Sequence, residues 1–204
     1  MKPISLRFKC FGPYMEEQYI DFEELENNGL FLICGETGAG KTTILDAMCY
    51  ALYGKSSGGL RGDISVMRCK LAGKDDETIV EFIFDAGGKR YKFVRILKFG
   101  RKKLRDFHNC MRLEDGNYVP LFENPKKQNV NRKAEEIIGL NDEQFRQVVI
   151  LPQGQFERFL VSDSAEKETI LVSLFKAKKW QLIAEEIYRR IAQEDQKLNQ
   201  EMDD

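Results

Sequence analysis

Gly35-Glu36-Thr37-Gly38-Ala39-Gly40-Lys41-Thr42-Thr43 matches the pattern G-x-x-x-x-G-K-[ST]. These are the residue types that phosphate chemistry needs. Glycines let a backbone curl so that successive N–H groups face phosphate oxygens. A helix starting at the loop adds its positive N-terminus to the same anion site. Lys41 is the candidate for the β- and γ-phosphates of ATP, and the Thr42 hydroxyl for a Mg²⁺ ligand. At an average Gly usage of roughly 7%, the pattern arises by chance in about one chain per hundred of this length.

Such a loop must be held by a strand before it and a helix after it. Leu30-Phe31-Leu32-Ile33-Cys34 is a short apolar run that reads as a buried parallel strand. Thr42 to Tyr53 carries Ile44, Leu45, Met48, Ala51 and Leu52 at a helical period. Strand, glycine loop and helix together predict an α/β P-loop NTPase.

Around this core the chain predicts an antiparallel layer. Ile4 to Phe8 alternates as a strand, Gly12-Pro13 breaks it, and Tyr19 to Phe22 reads as the return arm of a hairpin. Gly54 to Asp63 is rich in Gly and Ser and reads as a mobile loop. Thr78–Phe84 and Lys89–Phe99 flank Gly87-Gly88; Asn109–Leu113 and Tyr118–Phe122 flank Asp115-Gly116-Asn117. These are two hairpins of one antiparallel β-meander. A short helix is expected over Asn131–Ile138, and another from Asn141, an N-cap with Gln144 three residues on. From Asp163 no Gly or Pro occurs, and the apolar stripe thins toward Asp204. That pattern predicts a long helix leaving a globular body, with only a weak coiled-coil signal of its own. The expected division is 1–162 and 163–204.

The 204 residues include 32 basic and 33 acidic side chains, so no bulk charge attracts nucleic acid and only a local patch could. One such patch exists: Lys89, Arg90, Lys92, Arg95, Lys98, Arg101, Lys102, Lys103 and Arg105 stand in a run with no acidic residue. It predicts sequence-independent, salt-sensitive contact with DNA backbone, against the plainer reading of a solvated hairpin. Five scattered cysteines without a C-x-x-C pair fit a reduced, cytoplasmic setting. His108, the one histidine, lies in a polar, turn-like stretch, which argues against a metal cluster or a histidine triad. No apolar run approaches membrane length, no signal peptide is read, and no membrane association is expected.

Leu45-Asp46-Ala47 and Ala51-Leu52-Tyr53-Gly54 after the loop resemble the SbcC family, SMC-like ATPases of double-strand-break repair. Phe11-Gly12-Pro13-Tyr14, Leu60-Arg61-Gly62-Asp63, Leu151-Pro152-Gln153-Gly154-Gln155-Phe156 and Leu174-Phe175 are similar too. The resemblance implies the N-terminal half of an ABC-type ATPase head and the start of a coiled-coil arm. It also implies ATP and Mg²⁺ as cofactors. The implied partners are the C-terminal half of the same head, a second head, an SbcD-like nuclease and DNA. Carried over by motif, Gln153 resembles the glutamine that reaches Mg²⁺ and the γ-phosphate. From the residues alone it is a polar side chain in a loop after an apolar strand, and surface loop is the simpler reading. Gly12-Pro13 stands where some relatives carry polar or basic residues, which leaves backbone or Phe11 contact with the nucleotide.

An ABC-type site also needs a strand ending in Asp-Glu and an LSGG signature. Ser57-Gly58-Gly59, Asp142-Glu143 and Asp85 imitate parts of these, but each sits in the wrong context. The chain alone is therefore expected to bind ATP without appreciable turnover. Two other classes share the loop. One is an SMC-type structural ATPase of chromosomes. The other is a stand-alone P-loop kinase, whose acceptor pocket and Arg-rich lid motifs are not evident.

Overall fold

A computed structural model describes residues 1–25, 31–56, 67–99, 104–148 and 183–193. The chain divides into two compact units, Met1–Arg146 and Gln147–Asp204.

The first unit is built on one antiparallel sheet. Its strands are β1 (Lys2–Lys9), β2 (Gln18–Asp21), β3 (Thr78–Ala86), β4 (Lys89–Phe99), β5 (Leu104–Glu114) and β6 (Asn117–Pro120). Their spatial order is β2-β1-β3-β4-β5-β6. Two-residue turns fix the register. Ala86 pairs with Lys89 across Gly87-Gly88, and Glu114 with Asn117 across Asp115-Gly116. All four turn residues have positive φ, as the turn that matches strand twist requires. Period-two alternation then puts Val80, Phe82 and Phe84 of β3 on one face with Phe93 and Leu97 of β4. Each of these three fully buried phenylalanines contributes roughly 1.5–3 kcal/mol relative to an exposed one.

That face is covered by α1 (Lys41–Tyr53) and by α2 (Lys127–Ile138). Helix α1 buries Ile44, Ala47, Ala51 and Leu52 and stops at Gly54, whose φ of 65° lets its N–H return to the Tyr50 carbonyl at 2.8 Å. Helix α2 buries Val130 and Ala134. The following helix, α3 (Asp142–Val148), opens with the expected capping box. The Gln144 N–H donates to Asn141 Oδ1 at 2.9 Å, and the Asn141 N–H to Gln144 Oε1 at 3.1 Å. Asp142-Glu143 is thus a helix start and not a strand end. Phe145 packs on Tyr53, and the Tyr53 hydroxyl donates to the Leu140 carbonyl at 2.9 Å.

Three expectations are corrected. Residues 31–36 form no strand, and Leu32 is 84% exposed. A parallel strand is made by its neighbours, and the described residues contain only the antiparallel sheet, of which this run is no part. His108 is not in a turn but inside β5, which begins at Leu104 instead of Asn109 because it pairs with β4 back to Phe99. Helix α2 starts four residues before Asn131. In the second unit the described residues are 147–148, the end of α3, and 183–193; the latter stretch is helical, with Ile183, Ile187 and Ile191 exposed at helical spacing. The rest of the expected helix from Asp163 lies outside the described residues.

Candidate nucleotide site

The glycine loop runs straight into α1. Its last glycine, Gly40, is the N-cap residue, with φ of 90°. No side chain caps α1, and its first turn holds no acidic residue. The N–H groups of Lys41 and Thr42 are therefore left for an external anion, while that of Thr43 donates to the Gly40 carbonyl at 2.9 Å. Gly38, with φ of 88°, has open space where a side chain would stand. Inside the loop the Ala39 N–H donates to the Glu36 carbonyl at 3.1 Å. The Lys41 ammonium donates to the carbonyls of Gly35 and Glu36, each at 2.7 Å, so the loop curls around its own cation. The Thr42 side chain is exposed and Thr43 buried.

These residues fit a nucleotide polyphosphate: open N–H donors, one ammonium and one accessible hydroxyl. Among the described residues no group of three or more His, Cys, Asp or Glu could hold a metal. A Mg²⁺ here would rest on Thr42 and on phosphate oxygens, as a metal carried in with the nucleotide.

A second segment leans on this loop. Gly12 and Thr43 meet so closely that a Cβ on Gly12 would lie 2.5 Å from the Thr43 methyl. A Cβ on Gly40 would lie 2.8 Å from Pro13 and 2.9 Å from the Tyr14 ring. The sequence marks Gly12-Pro13 only as a strand break. Phe11, the sequence candidate for nucleotide contact, is fully buried between Phe8 and Tyr50.

The far end of α1 is held by a buried cation. Arg95 of β4 donates to the carbonyls of Ala51 (2.8 Å) and Leu52 (2.7 Å) and to Asn131 Oδ1 of α2 (2.7 Å). It also lies 3.1 Å from His108 Nδ1. Burial lowers the Arg95 pKa to about 10, which keeps the cation. Burial, and then the Arg95 charge, push His108 down to about 4. Burial likewise pushes Cys49 up to about 12 and Cys110 to about 11, so both thiols serve as small hydrophobes. Cys34 is exposed.

The basic run does not form one strip. Arg95 is interior. Arg90 pairs with Asp85 and Glu23, Lys92 with Glu81, and Lys98 with Glu77. Lys89 and Arg105 are exposed. Arg101, Lys102 and Lys103 lie outside the described residues, as do Gln153, its Pro-Gln-Gly-Gln-Phe context, Ser57-Gly58-Gly59 and Leu60–Asp63.

Residues 5–204 match the family model described as an AAA domain. The SbcC subunit of the nuclease SbcCD from Staphylococcus aureus strain MRSA252 is 38% identical over 202 residues, which is 97% of this chain and 20% of that protein. The same-named protein of strain Newman is 38% identical over 198 residues, 95% of this chain and 19% of its own length. The chain thus spans about a fifth of the length of the curated relatives it matches. With a phosphate-loop helix laid across an antiparallel sheet, and these matches running nearly end to end, the chain belongs to the AAA-domain family and is SbcC-like within it.

Proposed function

We propose that this chain is the ATP-binding part of an SbcC-like ATPase head. Its ATP binding and hydrolysis would control a nuclease that processes DNA ends in double-strand-break repair. The observation that carries the reading is the uncapped N-terminus of α1 behind the Gly35–Thr43 loop, with Lys41 inside the curl and Thr42 exposed beside it. Lys41 would bind the β- and γ-phosphates and Thr42 the Mg²⁺, with Gln153 the carried-over sensor of the γ-phosphate.

Other features support the wider assembly. Phe31, Leu32 and Ile33 are exposed where a P-loop fold puts a buried strand. This is the place for the C-terminal half of the head to complete a sheet, and that half would bring the missing hydrolytic carboxylates. Turnover would further need a second head, so the chain alone binds ATP without appreciable hydrolysis. The proposed lobe is 1–162, and 163–204 enters the coiled-coil arm. The exposed Ile183, Ile187 and Ile191 stripe supports a partner helix there. The relatives are named as subunits of a nuclease, which supports an SbcD-like partner. DNA contact would rest on the basic run, of which Lys89 and Arg105 are exposed, together with Arg101, Lys102 and Lys103 outside the described residues.

Calorimetric titration of Lys41→Ala with MgATP tests the reading. Binding should fall below detection while the urea unfolding midpoint stays put, because Lys41 contacts only the loop's own carbonyls. Unchanged affinity would overturn the site.

A further inference from the structure

We infer that Tyr14 is a positioning residue for the phosphate loop, setting the direction of a loop N–H from outside the site. The inference rests on the reading of Gly35–Thr43 as a nucleotide site.

The Tyr14 hydroxyl donates to the Ala39 carbonyl at 3.2 Å. A peptide unit is planar and trans, so its C=O and the following N–H point in opposite directions. Holding the Ala39 carbonyl toward Tyr14 therefore turns the Gly40 N–H away from Tyr14. The Tyr14 ring lies against Gly40 itself, which leaves no room for a side chain there.

Tyr14 can act in this way because it is fixed in turn. The Phe11 N–H donates to the Tyr14 carbonyl at 2.9 Å, and the Tyr14 N–H to the Phe11 carbonyl at 3.1 Å. This closes a two-residue turn on Gly12-Pro13, with Gly12 at φ of 58°. The turn is tied to a second segment: the Gly12 N–H donates to the Met67 carbonyl at 2.6 Å, and the Cys69 N–H to the Cys10 carbonyl at 2.9 Å. The Thr78 hydroxyl of β3 donates to the same Cys10 carbonyl at 3.2 Å. The Tyr14 ring meets Phe8 of β1 edge-on, with centroids 5.2 Å apart. The turn touches the loop at Gly40 and again at Thr43, on both sides of Lys41.

A loop with glycines at 35, 38 and 40 samples many conformations, and a ligand sees only the competent fraction. Tyr14 raises that fraction. It needs no contact with the nucleotide, and it serves any nucleotide whose phosphates the loop holds.

Tyr14→Phe in the full-length protein tests this, since it removes one hydroxyl and keeps the ring packed on Phe8 and Gly40. The dissociation constants of both ATP and ADP should rise about three- to tenfold, the effect of one neutral hydrogen bond. The KM for ATP should rise with kcat unchanged, the Gly40 amide resonance should move in the nucleotide-free protein, and the unfolding midpoint should not. Unchanged affinities with an unmoved Gly40 resonance would overturn the inference. So would a fall in affinity that only accompanies a lower unfolding midpoint, which is the signature of packing alone. If wild type and Lys41→Ala bind nucleotide equally poorly, the site reading itself fails and takes this inference with it.

Discussion

The side chain of the chain's only histidine, 7% exposed, lies beside a permanent cation, and that should make the fold sensitive to mild acid. Arg95 can only donate, so His108 Nδ1 must accept and the imidazole is neutral, with its proton on Nε2. The groups facing it are Arg95, Lys127 and, at 3.9 Å, Asp106. Burial first, then Arg95 and Lys127, hold its pKa near 4 against 6.5 for a free imidazole. Below 6.5 the unfolded chain therefore takes up a proton that the folded chain refuses. Stability is full above that value, falls as pH drops toward 4, and is level below. The whole step is roughly 3 kcal/mol, of which roughly 1.4 kcal/mol is lost between pH 7.5 and pH 5.5. Urea unfolding at several pH values in that window measures the slope. His108→Gln retains a carbonyl acceptor for Arg95 and cannot titrate, so its stability should be level over the same window. An equal slope in both proteins would refute the burial of a neutral His108. A level wild type would do the same.

Arg95→Met should lower stability by about 2–4 kcal/mol, because the α1 carbonyls and Asn131 lose their donor while the cost of burying a guanidinium is relieved. Arg95→Lys should recover little of this, since one ammonium cannot span acceptors on two helices; a loss under about 1 kcal/mol for Arg95→Met would show that water replaces the guanidinium. Reversing Lys89, Arg101, Lys102, Lys103 and Arg105 to Glu should weaken DNA binding for all sequences alike and flatten its salt dependence. Replacing the ion-paired Lys92 and Lys98 should change that slope less, and an unchanged slope in the first variant would return the run to a solvated hairpin.

The elements legible in the sequence are those whose causes are local. Gly87-Gly88 and Asp115-Gly116 specify their turns within two residues, and alternation on either side sets the register. Asn141 and Gln144 start α3 through bonds to each other's backbone. The glycine loop and Lys41 are readable for the same reason. Residues 31–34 mislead because an apolar run is a strand only when other chain segments flank it. How much of the basic run is ion-paired is not legible, because the partners of Arg90, Lys92 and Lys98 lie in β3 (Glu81, Asp85) or beside the ends of β2 and β3 (Glu23, Glu77). Arg95 does carry a signal in the sequence: its parity with Phe93 and Leu97 puts it on the buried face. His108 then follows from the register, since Arg95 pairs directly with it.

The chemistry of the site is written in nine consecutive residues, but its geometry is not. Helix α1 is gripped at both ends by the antiparallel sheet. Arg95 of β4 takes the last carbonyls, and the turn after β1 presses on Gly40 and Thr43 at the start. Neither grip can be deduced from the loop motif, because each joins residues far apart in the chain through a side chain or a close approach. The loop is thereby unequal on its two sides. From Ala39 onward it is tied to rigid structure, whereas residues 31–36 run exposed with no ladder bonds in the described sheet. Ordering cost in nucleotide binding should then fall mainly on the stretch before Gly38. In the proposed head, pairing that stretch into a completed sheet would raise nucleotide affinity without adding any group that touches the phosphates.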